Sequence, residues 1–174
     1  MNKYKVDCVI LAAGEGTRMK SSVPKVLFDI CGRKMIEHIL HTVQQVDKIN
    51  KVYIVTGHQA SLVKQAILVS DVVRNISHRI VFVQQNKQLG TADAVKCVKK
   101  YISKTTKYLL VLSGDVPLIT VSTLDKLIDS HLSSNVECTV ASFIATNPFG
   151  YGRIVRDISN KFVGIVEEVD ATDT

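Results

Sequence analysis

Residues 6–12 (VDCVILA) form a nearly continuous apolar run. A strand of that composition needs cover on both faces, as in a parallel sheet flanked by helices. Three more short runs follow, at 52–55 (VYIV), 80–83 (IVFV) and 108–112 (YLLVL). Each is bounded by polar or glycine positions and reads as a strand. Between them the apolar period becomes helical. Met35, Ile36, Ile39, Leu40, Val43 and Val46 make one stripe, and Leu62, Val63, Ala66 and Ile67 a second. Ala92, Val95, Val98 and Ile102 make a third, and Val121, Leu124, Leu127, Ile128 and Leu132 a fourth. Each stripe lets a helix bury one face. Strand alternating with helix predicts an α/β fold, a Rossmann-like, mainly parallel sheet. Right-handed crossovers place helices on both of its faces.

After residue 135 the pattern is strand alone. Residues 136–144 (VECTVASFI) alternate, and 152–156 with 162–167 predict a C-terminal β-hairpin turning near Ser159 and Asn160. No repeat, low-complexity tract or linker divides the chain, so residues 1–174 are expected to form a single domain.

Lys and Arg number 22 against 16 Asp and Glu, a net charge of +6 that suits an anionic partner. The basic residues are dispersed, and the aromatics are not arranged as a stacking platform. A nucleic-acid partner is therefore disfavoured. No apolar run approaches the ~20 residues of a membrane helix, so no membrane partner is expected. No secretory segment precedes the first strand. Cys8, Cys31, Cys97 and Cys138 lack C-x-x-C spacing and an accompanying His cluster. Reduced thiols in a cytoplasmic protein are the expectation, with Cys8 and Cys138 acting as small hydrophobes within strands.

In open α/β sheets ligands bind beyond the carboxyl ends of the strands. After the first run stands LAAGEGTRM (residues 11–19), with Pro24 and Lys25 following. The small residues Ala12, Ala13, Gly14 and Gly16 let backbone approach a ligand, and consecutive N–H groups there can form an anion nest. Arg18 and Lys25 add charge beside it. The loop lacks the third glycine of G-x-G-x-x-G and the G-K-[ST] of a Walker loop, which disfavours both. On the glycines alone, a tight turn with two solvated cations is an equal reading. After the fourth run, Ser113-Gly114-Asp115 sets one carboxylate at a strand end, where it is either a turn residue or a hard-cation ligand. After the third run come Gln85 and then Leu89-Gly90-Thr91. Gln85 can read the edge of a nucleobase; the alternative is plain surface polarity with Thr91 as helix N-cap. Gly152 and the acidic pair Glu167-Glu168 flank the hairpin.

Taken in order, LAAGEGTRMKSSVPKVL, QLGTADAV, SGDVPLI, GYGRIV and GIVEEVDATD resemble the sugar-1-phosphate nucleotidyltransferases. Within that superfamily the chain is most similar to the N-terminal uridyltransferase domain of the bacterial bifunctional N-acetylglucosamine-1-phosphate uridyltransferase/glucosamine-1-phosphate acetyltransferases. The resemblance spans essentially the whole chain. It implies the nucleotide-diphospho-sugar transferase fold and the conversion of UTP and N-acetylglucosamine 1-phosphate to UDP-N-acetylglucosamine and pyrophosphate. That product feeds peptidoglycan and lipopolysaccharide synthesis.

By the same resemblance, Leu11, Ala12, Ala13 and Gly14 hold the uridine and phosphates, and Arg18 and Lys25 are the catalytic cations. Gln85, Gly90 and Thr91 recognise uracil. Ser113, Gly114 and Asp115 border the substrates, with Asp115 as a ligand of the cofactor Mg²⁺. Gly152 and Glu167 contact the sugar. Two positions depart from the pattern: Ser113 stands where an aromatic residue is usual, and Val169 where a lysine is. The family's second magnesium ligand, an asparagine, and the domain through which its members trimerise lie beyond the pattern matched here. The resemblance therefore implies a truncated nucleotidyltransferase, with homo-oligomers a property of a longer parent. The competing readings are an enzyme of the same fold with another nucleotide or sugar phosphate, and a catalytically weak nucleotide-binding module.

Overall fold

The structure is a computed structural model and describes residues 6–14, 21 and 23–171. Four strands, β1 (Val6–Ala12), β4 (Ile49–Thr56), β5 (Ile80–Gln84) and β6 (Tyr108–Ser113), form a sheet in the order β5-β4-β1-β6. All its pairings are parallel. Two short strands, β2 (Asp29–Ile30) and β3 (Arg33–Lys34), make a separate antiparallel hairpin. A second antiparallel pair, β7 (Arg153–Arg156) and β8 (Phe162–Val166), lies near the end of the chain.

The helices are α1 (Met35–Val43), α2 (Ala60–Leu68), α3 (Thr91–Val98) and α4 (Val121–Ser133). Their apolar stripes decide the layering. Ile36, Ile39 and Leu40 of α1, Val63 and Ile67 of α2, and Leu124 and Ile128 of α4 share a core with Cys8, Ile10, Val52, Ile54, Leu110 and Leu112. On the opposite face, Ala94 and Val98 of α3 pack with Val9, Tyr53, Val55 and Val83. Both faces are thus helix-covered, which explains why β1 reads as continuously apolar. The one acidic residue inside it, Asp7, is buried and hydrogen-bonded. It accepts from Thr106 Oγ1 at 2.7 Å, and from Asn50 Nδ2 and the Lys51 amide at 3.2 Å each.

Two expectations need correction. Residues 136–144 do not form a strand. Alternation reports which way side chains face, but a strand exists only when its backbone finds a ladder partner. This segment has none, and Val136, Val140, Phe143 and Ile144 are exposed. Cys138 is consequently exposed rather than packed, whereas Cys8 is fully buried in β1. The C-terminal hairpin forms as the sequence predicts. Asp157 Oδ1 accepts from the amides of Ser159 and Lys161 at 2.8 and 2.9 Å, shaping the turn between β7 and β8.

Candidate functional site

The strand order reverses its progress at β1: the chain moves outward through β4 and β5, then returns to β1's other side as β6. Loops leaving two neighbouring strands in opposite directions open a crevice at their carboxyl ends. The register brings those ends level. Leu11 stands opposite Ser113, Ala12 opposite Thr56, and Thr56 opposite Gln84. Beyond them lies a cleft of about 780 Å³, lined by residues from the loops after β1, β5 and β6 together with Lys25 and Val26.

On the β6 side, the Gly114 amide donates to the Leu11 carbonyl at 2.8 Å, holding the two loops together. A Cβ at Gly114 would overlap that same carbonyl oxygen. Glycine is required by close approach, not by a positive φ. Asp115 follows directly. Its Oδ1 accepts from Ser113 Oγ and its Oδ2 from Lys25 Nζ, each at 2.7 Å. Lys25 opens a 3-10 turn (Lys25–Leu27) after Pro24, and the burial of Val26 and Leu27 anchors that turn. Both members of the ion pair keep more than a third of their side-chain surface exposed. Burial pushes the Asp115 carboxyl up. The Lys25 and Ser113 hydrogen bonds and the lysine's charge outweigh it and leave the group below the ordinary aspartate range.

On the β5 side, the Gln85 amide donates to Thr56 O at 2.8 Å, extending the strand ladder by one residue. Gln85 is buried. Its Nε2 donates to Asp93 Oδ2 at 2.8 Å and to Gly90 O at 3.3 Å. Gly90, at φ +96°, is the N-cap of α3, and Thr91 is the first helical residue. The expectation of Thr91 as N-cap is therefore displaced by one position, because the chain enters the helix through a backbone conformation that glycine tolerates.

Of the sequence-predicted site residues, Leu11, Ala13, Gly14, Lys25, Gln85, Gly90, Thr91, Ser113 and Asp115 line this one cleft. Ala12 packs its side chain into the core, and Gly114 serves the loop contact just described. Arg18 lies outside the described residues. Gly152 and Glu167 come together on the hairpin and are not among the residues lining the cleft. Their neighbour Glu168 is half-buried and pairs with Arg153 at 2.6 Å.

Sequence reasoning passed over Asp93 and Gln88. Gln88 Nε2 donates to the Ala13 carbonyl at 2.6 Å and so ties the loop after β5 to the loop after β1. The only sequence signal for it was its place within QLGT, beside residues already singled out.

A hard divalent cation suits the donors present. Among the described residues no three His, Cys, Asp or Glu side chains converge. A single accessible carboxylate beside a hydroxyl matches the way magnesium binds substrate phosphates, keeping most of its waters. Asp115 and Ser113 are the groups that would hold it.

Comparison with known proteins bears on this cleft. The sequence matches the MobA-like NTP transferase domain family over residues 8–161. It is 43% identical over 165 residues to the bifunctional protein GlmU of Staphylococcus saprophyticus, covering 95% of this chain and 34% of that protein. It is 40% identical over 173 residues to GlmU of Lactococcus lactis, covering 99% of this chain and 35% of that protein. The chain thus spans about a third of the length of the curated relatives it matches. Among solved structures, HddC from Yersinia pseudotuberculosis superposes with a TM-score of 0.70 at 25% identity, over 93% of this chain and 69% of that one.

Proposed function

Since the chain belongs to the MobA-like NTP transferase domain family, we propose that its cleft binds a nucleoside triphosphate and transfers the nucleotidyl group to a sugar 1-phosphate. UTP and N-acetylglucosamine 1-phosphate are the proposed pair. The products are UDP-N-acetylglucosamine, a cell-envelope precursor, and pyrophosphate. The observation that carries the proposal is convergence. A small-residue loop, a strand-end carboxylate and a buried amide from three strand ends, joined by the lysine of the Lys25–Leu27 turn, line one space of suitable size. The relationship to GlmU proteins at about 40% identity supports the choice of substrates.

The chemistry asks little of the protein. The attacking group is a phosphate oxygen, and with a second pKa of about 6 it is ionised at neutral pH without a general base. What remains is to bring two polyanions together in line and to neutralise charge as the bond to the α-phosphate forms and the bond to pyrophosphate breaks. The backbone of Leu11–Gly14, open to the cleft, approaches the phosphates. Lys25 carries a full positive charge at the β1–β6 crevice, and release from Asp115 lets its ammonium reach substrate. When magnesium is bound at Asp115, it supplies further neutralisation of phosphate charge. Gln85, Gly90 and Thr91 face the base.

The test is magnesium-dependent pyrophosphate release across a panel of nucleoside triphosphates and sugar phosphates. UTP with N-acetylglucosamine 1-phosphate should give the highest turnover, abolished by chelation. Lys25→Ala should lower it by at least ~100-fold. Binding of every nucleotide alike, with no turnover and no effect of Lys25→Ala, would overturn the proposal.

A further inference from the structure

Gln85 has two polar side-chain atoms and only one orientation open to it. Its Nε2 lies 2.8 Å from Asp93 Oδ2 and 3.3 Å from the Gly90 carbonyl. A carboxylate and a carbonyl are both acceptors, and neither can donate to an amide oxygen. Turning the amide over would set Oε1 against two acceptors inside a buried pocket, at the cost of two hydrogen bonds and added repulsion. The –NH₂ group is therefore held toward α3. Oε1, the opposite atom of the same amide, has no hydrogen-bond partner among the described residues, and Gln85 lines the cleft.

We infer that Asp93 is a positioning residue for base selection, locking the Gln85 amide so that the cleft presents an acceptor to the nucleobase. The inference rests on the nucleotide-binding reading of the cleft and sharpens it. An acceptor favours a base with a ring N–H on its pairing edge. Uracil carries N3–H there, whereas N3 of cytosine is itself an acceptor and would face Oε1 unpaired. Asp93 is well placed to hold this arrangement. It sits in the first turn of α3, where a carboxylate also meets the positive end of the helix dipole. It contacts Gln85 from a rigid element, the same helix whose first residues line the cleft.

The test compares UTP and CTP affinity, by calorimetry with magnesium present, for the wild-type chain, Asp93→Asn and Asp93→Ala. The amide introduced by Asp93→Asn can donate to Oε1 and so releases the Gln85 amide to turn. The wild type should prefer UTP, and both variants should lose that preference by about 10-fold, the worth of one hydrogen bond. A residue that merely supports the fold would weaken both nucleotides equally and leave the ratio unchanged; that result overturns the inference. Asp93→Asn, nearly isosteric, carries the test if Asp93→Ala fails to fold, and thermal melting reports which variants are folded. A wild-type chain that binds UTP and CTP equally also overturns the inference while leaving the nucleotide site intact. A wild-type chain that binds neither removes the functional reading, and this inference with it.

Discussion

Replacing Gly114 by alanine perturbs the contact that joins the two strands bearing the cleft. The added methyl would overlap the Leu11 carbonyl oxygen and lie 3.0 Å from Val26 Cγ1 and 3.2 Å from the Leu11 carbonyl carbon. Two of these three neighbours are backbone atoms of the central strand, so relief requires β1 and the loop after β6 to separate. Overpacking of this kind costs about 1–3 kcal/mol. The same movement stretches the 2.8 Å bond from the Gly114 amide to Leu11 O, worth about 1 kcal/mol. The expected loss is about 2–4 kcal/mol, measured as a lower urea midpoint with an unchanged slope. Asp115 is the next residue, so its pairing with Lys25 should be disturbed and nucleotide turnover should fall as well. Gly14→Ala is the matched control. A Cβ there meets nothing within 4 Å, so stability should hold while the methyl crowds the ligand and raises KM. A Gly114→Ala protein within ~0.5 kcal/mol of wild type would refute the close-approach argument.

Asp7→Ala should destabilise by about 2–3 kcal/mol, because it removes the buried carboxylate that accepts from Thr106, Asn50 and the Lys51 amide. Denaturant melts check this, and nucleotide affinity in the folded protein should be unchanged. The Asp115 carboxyl is lowered in the folded state, so its pairing adds stability above the ordinary aspartate value. That contribution disappears as pH falls through the lowered one. Wild type should therefore exceed Asp115→Asn in stability at pH 7, with the gap closing in acid; a gap that widens in acid would contradict the assignment. Cys31 and Cys138 are exposed and should react rapidly with a thiol reagent. Cys8, fully buried, with desolvation and the neighbouring Asp7 pushing its thiol far up, should react only on unfolding.

Much of this architecture could be read from periodicity. β1 announced itself because a strand covered on both faces has no polar side to show, and α1 and α4 because each buries the stripe read for it; in α3 the buried face runs through Ala94 and Val98, and Ala92 is exposed. Candidate site residues were legible where they follow strand ends, a position that topology makes functional. Contacts across the chain were not. Lys25 and Asp115 meet over 90 positions of sequence, and no local pattern specifies that pairing. Gln88 and Asp93 act by reaching single carbonyl and amide groups on neighbouring loops, contacts that leave no periodic trace. Residues 136–144 show the opposite failure. There the local pattern is clear, and the backbone has no neighbour with which to complete a strand.

The central claim is that the ends of β1, β5 and β6 form one nucleotide site. Hydrogen exchange of backbone amides, measured by mass spectrometry with and without UTP and magnesium, tests it most directly. Peptides covering Leu11–Gly14, Gln85–Thr91 and Ser113–Asp115 should gain protection together, and those covering the sheet's opposite end around Asp7 and Lys51 should not. Saturating UTP that leaves all three segments unchanged, or protects amides elsewhere instead, would contradict the account.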